Sequence, residues 1–191
     1  MDKRDQIRKR LEEFKSLNEK QKFKEFQFCL LTPQSNAQRC WQAVEEISKL
    51  KSPTQKKITE ILSTKTRFHH TKAKRILQAE ETWKVIKPLL SQKDILKLRN
   101  KIAKQVNGYG LKEASHFMRN IGISNNKIAI LDRHILKNLH ELNLIPEPKI
   151  KNQRHYLEVE QIFLAHAQRL NIEADILDVH WWSQENGEIF K

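Results

Sequence analysis

Apolar residues recur at intervals of three and four along nearly the whole chain, and only four glycines and five prolines interrupt its 191 residues. That period gathers side chains on one face of a helix, whereas sheets need alternation and frequent turns. The fold class is therefore all-α. Ile7, Leu11, Phe14 and Leu17 mark a first helix, Phe23 to Leu31 a second, and Ala37, Trp41, Val44 and Ile47 a third running down to Ser52-Pro53. Ile58, Ile61 and Leu62 predict a short helix, and Ala73, Ile76, Leu77, Ala79, Trp83 and Ile86 one longer helix ended by Pro88. Further helices are predicted over Ile95 to Val106, Leu111 to Ile121, after Asp132, Tyr156 to Leu170 and Glu173 to Trp182.

The periodicity breaks at VNGYGLKEASHFMRNIG, residues 106 to 122, where Gly108 and Gly110 separate two helices. The form apolar-x-Gly-apolar-Gly-apolar-Lys-x-Ala makes a helix–hairpin–helix over about 95–122. Its glycines permit positive φ, and the amides opening the second helix can hold a DNA phosphate without reading sequence. The same turn also joins core helices in proteins that bind no DNA. The charge favours the DNA reading: Lys plus Arg outnumber Asp plus Glu by 36 to 23, a net +13, and Lys101, Lys104 and Lys112 flank the hairpin.

Lys112 falls in the first turn of the second helix, where a positive charge costs up to about 1 kcal/mol and the helix field favours an uncharged amine. It is either a solvated lysine beside a phosphate or a nucleophile. Asp132 follows twenty residues later, where an N-cap would precede Ile135, Leu136 and Leu139. The helix from Leu111 to Ile121 carries the chain about 16 Å away. Residues 122 to 131 can span up to about 33 Å and so can return Asp132 to Lys112. A carboxylate beside an amine suits glycosidic chemistry, since it stabilises positive charge on the sugar or helps move protons. As a cap alone it would need no such partner.

Other chemistries find little support. Cys29 and Cys40 lack CxxC spacing, which disfavours a disulfide framework, a zinc site or an iron–sulfur cluster. His69, His70, His116 and His134 complete no HExxH-type motif. No window approaches the ~18 apolar residues of a spanning helix, so the expectation is a cytoplasmic protein.

GYGLKEASHFMRNIG followed by IAILDRHIL resembles the helix–hairpin–helix DNA glycosylase superfamily and, within it, the compact archaeal-type 8-oxoguanine DNA glycosylase/AP lyase family. The likeness extends from FCLLTPQSNAQ through RFHHTKAKRI to the last residue. It implies two helical domains, 28–130 containing the hairpin and 1–27 plus 131–191, with double-stranded DNA containing 8-oxoguanine bound in the cleft between them. It further implies a catalytic pair, Lys112 and Asp132, with Gly108 and Gly110 contacting DNA. Phe68 and Trp182 resemble the residues that sandwich the extruded base, and Gln34 the residue that fills the vacated stack. Arg39 is expected near the unpaired opposite base. The family also ends in lysine, which implies that Lys191 recognises the oxidised guanine. The chain departs from the superfamily at Asn107, often proline, and has no four-cysteine cluster after Asp132. No cofactor is expected, and the implied protein is a prokaryotic monomer acting at the nucleoid. A glycosylase for another oxidised base and a non-catalytic helix–hairpin–helix DNA-binding protein remain the alternatives.

Overall fold

A computed structural model describes residues 2–191, Asn186 by its backbone alone. Eleven α-helices and one 3-10 turn make up the regular structure of the described residues, with no strand among them. In chain order the helices are α1 (Lys3–Lys15), α2 (Glu19–Leu31), α3 (Ala37–Ile47), α4 (Gln55–Ser63), α5 (His69–Leu77) and α6 (Ala79–Ile86). They continue as α7 (Ile95–Gln105), α8 (Leu111–Asn120), α9 (Arg133–Glu141), α10 (Gln153–Arg169) and α11 (Ala174–Asn186). Their starts are chemically marked. The side chains of Asn18, Asn36, Thr54, Asp94, Asp132 and Asn152 each accept from amides of the first turn they precede.

Two boundaries differ from the periodicity. The predicted helix from Ala73 to Ile86 is two helices meeting at Gln78, and Pro88 lies inside a 3-10 turn, Lys87–Ser91, rather than ending an α-helix. Apolar spacing reports which face is buried and is blind to a change of axis when both segments bury Ala73, Ile76, Ala79 and Trp83 in one core. The third helix stops at Ile47, six residues before Pro53, because nothing apolar enough to bury follows Leu50.

Buried side chains form two large clusters. The first, from Phe26 to Ile128, includes Phe28, Leu62, Ala79, Leu98, Phe117 and Met118. The second runs from Ala129 to Trp181 and also takes Leu111. A small third one packs Ile7 of α1 against Ile176 and Val179 of α11, so the two ends of the chain come together. The helix α8 therefore stands between the two large clusters, with Leu111 on one side and Phe117 and Met118 on the other.

The hairpin between α7 and α8 is held from three directions. Gly108 has φ +100°, a conformation that favours glycine, and a Cβ there would lie 2.6 Å from the Arg75 guanidinium, which would have to shift. Tyr109, buried, donates its hydroxyl to the Phe26 carbonyl at 2.7 Å. Behind α8, Arg99 of α7 forms a buried ion pair with Glu160 of α10. Glu160 also accepts the Ala129 amide at 2.9 Å, and the Tyr156 hydroxyl donates to the Ala129 carbonyl at 2.7 Å. These bonds fix the segment that leads into Asp132.

Candidate active site

The helix α8 has two kinds of face. Ala114, Phe117 and Met118 are buried in the first cluster, while Lys112, His116, Arg119 and Asn120 follow at spacings of four and three along a polar face. Lys112 stands in the first turn with 27% of its side chain exposed, its Nζ 2.9 Å from Glu113 Oε1. The other oxygen, Oε2, accepts the Gly110 amide at 3.0 Å in a capping box. The positive helix end repels the ammonium and Glu113 attracts it, so the resting chain keeps Lys112 as half of an ion pair.

Asp132 is the cap that its position predicts. Its Oδ1 accepts both the His134 amide, at 2.8 Å, and the Ile135 amide, at 3.0 Å, and Oδ2 takes part in neither bond. The cap thus leaves one carboxylate oxygen for other work. On α11, Asp178 faces α8 instead, its carboxylate 3.1 Å from Arg119 Nη2. Burial pushes the Asp178 carboxyl up to about 7; Arg119 opposes that shift, and the nearby negative charges of Asp132 and Asp175 add to it.

One turn further along α11 is Trp182, half-buried, its ring 6.1 Å from that of Phe190 between centroids. Its neighbour Trp181 is core, packed edge-on to Phe163. The last residues are fixed in place. Arg10 Nε donates to the Phe190 carbonyl at 2.8 Å, Phe190 packs edge-on to Phe28, and Lys191 is 5% exposed. The Lys191 ammonium pairs with Glu25, which also accepts from Asn120 Nδ2 at 2.8 Å. The same ammonium sits 3.4 Å above the Trp41 ring centroid, with Phe28 beside it. Lys112 and Lys191 both act on His116: burial, then Arg119, Lys112 and Lys191, holds that imidazole well below its usual range.

Gln34 and Phe68 come from two turns that share a support. Both are exposed, and both occupy the left-handed backbone region, Gln34 at φ 54° and Phe68 at φ 58°. For residues with side chains this costs about 1 to 3 kcal/mol each and persists only where the surroundings enforce it. Phe68 is 55% exposed, with the Arg67 guanidinium 5.5 Å from its ring centroid. Arg67 donates its amide to Ser35 Oγ at 2.9 Å, which ties the Phe68 turn to the Gln34 turn. Arg39 is exposed on the first turn of α3, its amide donating to the Asn36 cap at 3.0 Å.

The model of the 8-oxoguanine DNA glycosylase family, of helix–hairpin–helix type, matches residues 7–172. The chain belongs to this family. Among the relatives of this glycosylase is the 8-oxoguanine DNA glycosylase/AP lyase of Fusobacterium nucleatum, 35% identical, with 97% of this chain and 91% of that protein covered. Among solved structures, the Methanocaldococcus jannaschii 8-oxoguanine glycosylase/lyase in complex with 15mer DNA containing 8-oxoguanine superposes with a TM-score of 0.88 at 33% identity, covering 100% of this chain and 94% of that one. The Thermotoga maritima 8-oxoguanine DNA glycosylase gives 0.86 at 31% identity, covering 97% and 91%.

Several polar residues that support this site were missed in the sequence. Glu25, Arg99, Glu160 and Asp178 are charged yet almost fully buried, and Lys72 is 1% exposed. A signal existed for some of them: Glu160 lies at helical spacing between Tyr156 and Phe163, and Arg99 lies beside Leu98 on a helix that buries Ile95 and Ile102. A charge on an apolar face requires a partner.

Proposed function

We propose that this chain is a bifunctional DNA repair glycosylase that excises 8-oxoguanine and then nicks the strand at the resulting abasic site. The observation that carries this reading is the likeness, over the entire chain, to a glycosylase/lyase bound to 8-oxoguanine DNA. Lys112 is the nucleophile. Its neutral amine attacks C1′ of the extruded nucleotide, the C1′–N9 bond breaks, and its electron pair leaves with the base, which takes up a proton. The amine nitrogen then loses its protons as the C1′–O4′ bond breaks and O4′ takes one up, opening the sugar to an imine; the imine acidifies the C2′ hydrogen, so loss of that proton expels the 3′ phosphate. Asp132, through Oδ2, stabilises positive charge at the sugar and assists the proton transfers. The steps need no metal or organic cofactor.

Gly108 and Gly110 present the hairpin amides to a phosphate, and the net +13 supplies the sequence-independent attraction to double-stranded DNA. Gln34 enters the stack, Arg39 approaches the opposite base, and Phe68 and Trp182 hold the extruded base. At Lys191 the ammonium is engaged by Glu25, which leaves a main-chain oxygen of Lys191 as acceptor for the N7 hydrogen that distinguishes 8-oxoguanine from guanine. The two large clusters support domains of 28–130 and 1–27 plus 131–191, except that α2, continuous from Glu19 and packing Phe26 in the first cluster, joins the first domain whole. No helix among the described residues is long and apolar enough to cross a membrane; the chain acts as a monomer on nucleoid DNA in the cytoplasm.

A lesion panel with borohydride trapping tests the reading. Cleavage of 8-oxoguanine duplex with a covalent adduct is expected. Excision of thymine glycol alone would move the substrate to oxidised pyrimidines, and binding without any adduct would leave a non-catalytic DNA-binding protein.

A further inference from the structure

Between the Gln34 turn and the Phe68 turn lies a buried ammonium that the chemistry above does not use. Lys72, 1% exposed on α5, donates from Nζ to the Leu31 carbonyl at 2.7 Å, the Pro33 carbonyl at 2.9 Å and Ser35 Oγ at 2.8 Å. Three acceptors for three hydrogens saturate the group. All three belong to the end of α2 and the turn that follows it, on either side of Gln34. The amide of Lys72 meanwhile donates to the Phe68 carbonyl at 3.0 Å, so the same residue closes the first turn behind Phe68. Ser35 Oγ completes the circuit, because it also accepts the Arg67 amide at 2.9 Å.

A simple surface turn would not recruit a lysine to this place. Burial pulls the ammonium down to about 8; Cys40 opposes the shift, and the positive charges of Arg75, Lys112 and Arg67 add to it. The site retains a charge where charge is disfavoured, and what it obtains is the joint placement of two turns in strained backbone conformations.

We propose that Lys72 is a positioning residue that locks the Gln34 and Phe68 turns into one unit, so that extrusion and capture of the damaged base depend on it while imine formation at Lys112 does not. This rests on the roles given above to Gln34 and Phe68. Gln34 must enter the duplex as the base leaves, and Phe68 must meet that base on the far side of the backbone. Two independently mobile turns would perform these steps out of register, whereas one ammonium shared between them fixes their separation. Abasic DNA has no base to extrude or hold, which separates the two activities.

The test uses the full chain carrying Lys72→Met, Gln34→Ala, Phe68→Ala, Ser35→Ala and the double change Lys72→Met with Gln34→Ala. Single-turnover excision from 8-oxoguanine duplex is read beside borohydride trapping on preformed abasic duplex, with 2-aminopurine next to the lesion reporting unstacking. Lys72→Met is expected to slow excision and unstacking roughly tenfold or more and to leave trapping near the parent. The double variant is expected to be little worse than the worse single one, as residues acting through one another are non-additive. Ser35→Ala, which removes the shared acceptor with little loss of packing, should shift excision the same way and decides the matter if Lys72→Met does not fold. Unchanged excision in Lys72→Met or, if that variant does not fold, in Ser35→Ala would overturn the proposal, as would equal loss of excision and trapping or a fully multiplicative double variant. Parental excision in both Gln34→Ala and Phe68→Ala would overturn it differently, by removing the roles on which it rests.

Discussion

Lys112 and Lys191 each meet a glutamate, one in the first turn of α8 and the other at the end of the chain, and the two pairs are solvated very differently. The Lys112 side chain is 27% exposed and its partner Glu113 is adjacent in sequence. Such a part-exposed pair, with Glu113 at 12%, contributes about 1 kcal/mol, and losing the lysine leaves Glu113 still bonded to the Gly110 amide. Lys191 and Glu25, both with 3% side-chain exposure, join residues at opposite ends of the chain inside a ring of aromatics. Breaking that pair leaves a buried charge without its partner. The same two residue types thus meet opposite demands: the nucleophile proposed at Lys112 needs an amine that can lose its partner, and the segment anchored through Lys191 needs one that cannot.

The comparison breaks first, and most visibly, at Lys112. Lys112→Gln is expected to abolish borohydride trapping and excision while shifting unfolding free energy by no more than about 1 kcal/mol. Trapping that survives in this variant would transfer the nucleophile elsewhere. Asp132→Asn comes next. Asparagine retains an oxygen for the His134 and Ile135 amides, so the melting temperature should hold while excision drops by about 10² to 10⁴-fold. If melting and excision fell together, the cap would be the whole role of Asp132.

At the other pair the sign of the test reverses. Deleting Lys191 should cost about 3 to 5 kcal/mol of stability, because Glu25 stays buried with only Asn120 as partner. The double variant Glu25→Gln with Lys191→Met removes both side-chain charges and keeps the main-chain oxygens of residue 191. It is expected to melt near the parent and to retain 8-oxoguanine excision, whereas the deletion is expected to lose excision even at temperatures where it is folded. Loss of excision in the double variant would assign recognition to the ammonium instead.

His116 lies under the influence of both lysines and gives a smaller effect. Its Nε2 is buried without a hydrogen-bond partner, and its folded-state pKa is well below the unfolded value near 6.5. The stability contributed by a neutral His116 is complete above about 6.5 and is lost as pH falls below it, at up to about 1.4 kcal/mol per pH unit. Asp178 and Asp175, both raised mainly by burial, act with the opposite sign in the acidic range, so the informative quantity is a difference. Denaturant unfolding of the parent and of His116→Leu between pH 7 and 5 should show the parent losing ground; parallel curves would place His116 in contact with solvent.

What could be read from the sequence divides along the same physical line. Helical period, the Gly108 and Gly110 break, the Asp132 cap and the exposed chemistry around Lys112 are all local, set within a few residues of one another. The break at Gln78 left no trace because both helices bury their apolar faces in one cluster. The pairs Lys191 with Glu25 and Arg99 with Glu160 join residues 166 and 61 positions apart, and neither partner carries a local mark that names the other. Lys72 is the intermediate case. It stands in RFHHTKAKRI directly before Ala73, on the buried side of α5, and only two carbonyls and a hydroxyl 37 to 41 residues earlier explain it.

The smallest effect belongs to Glu113, and it bears most directly on what separates the two pairs. Glu113→Gln preserves the capping geometry, since glutamine also presents an oxygen to the Gly110 amide. It removes the charge that holds the Lys112 ammonium, and with it the attraction that the amine must lose before it attacks. That attraction is worth at most about 1 kcal/mol at this exposure, which corresponds to roughly fivefold in rate. Trapping on abasic duplex at pH 7 is therefore expected to rise in Glu113→Gln by a factor between one and about five, with an unchanged melting temperature. A fall of tenfold or more would mean that Glu113 is the base that receives the Lys112 proton. The pair in α8 would then be part of the reaction itself, and its difference from the buried pair at Lys191 one of chemistry as well as solvation.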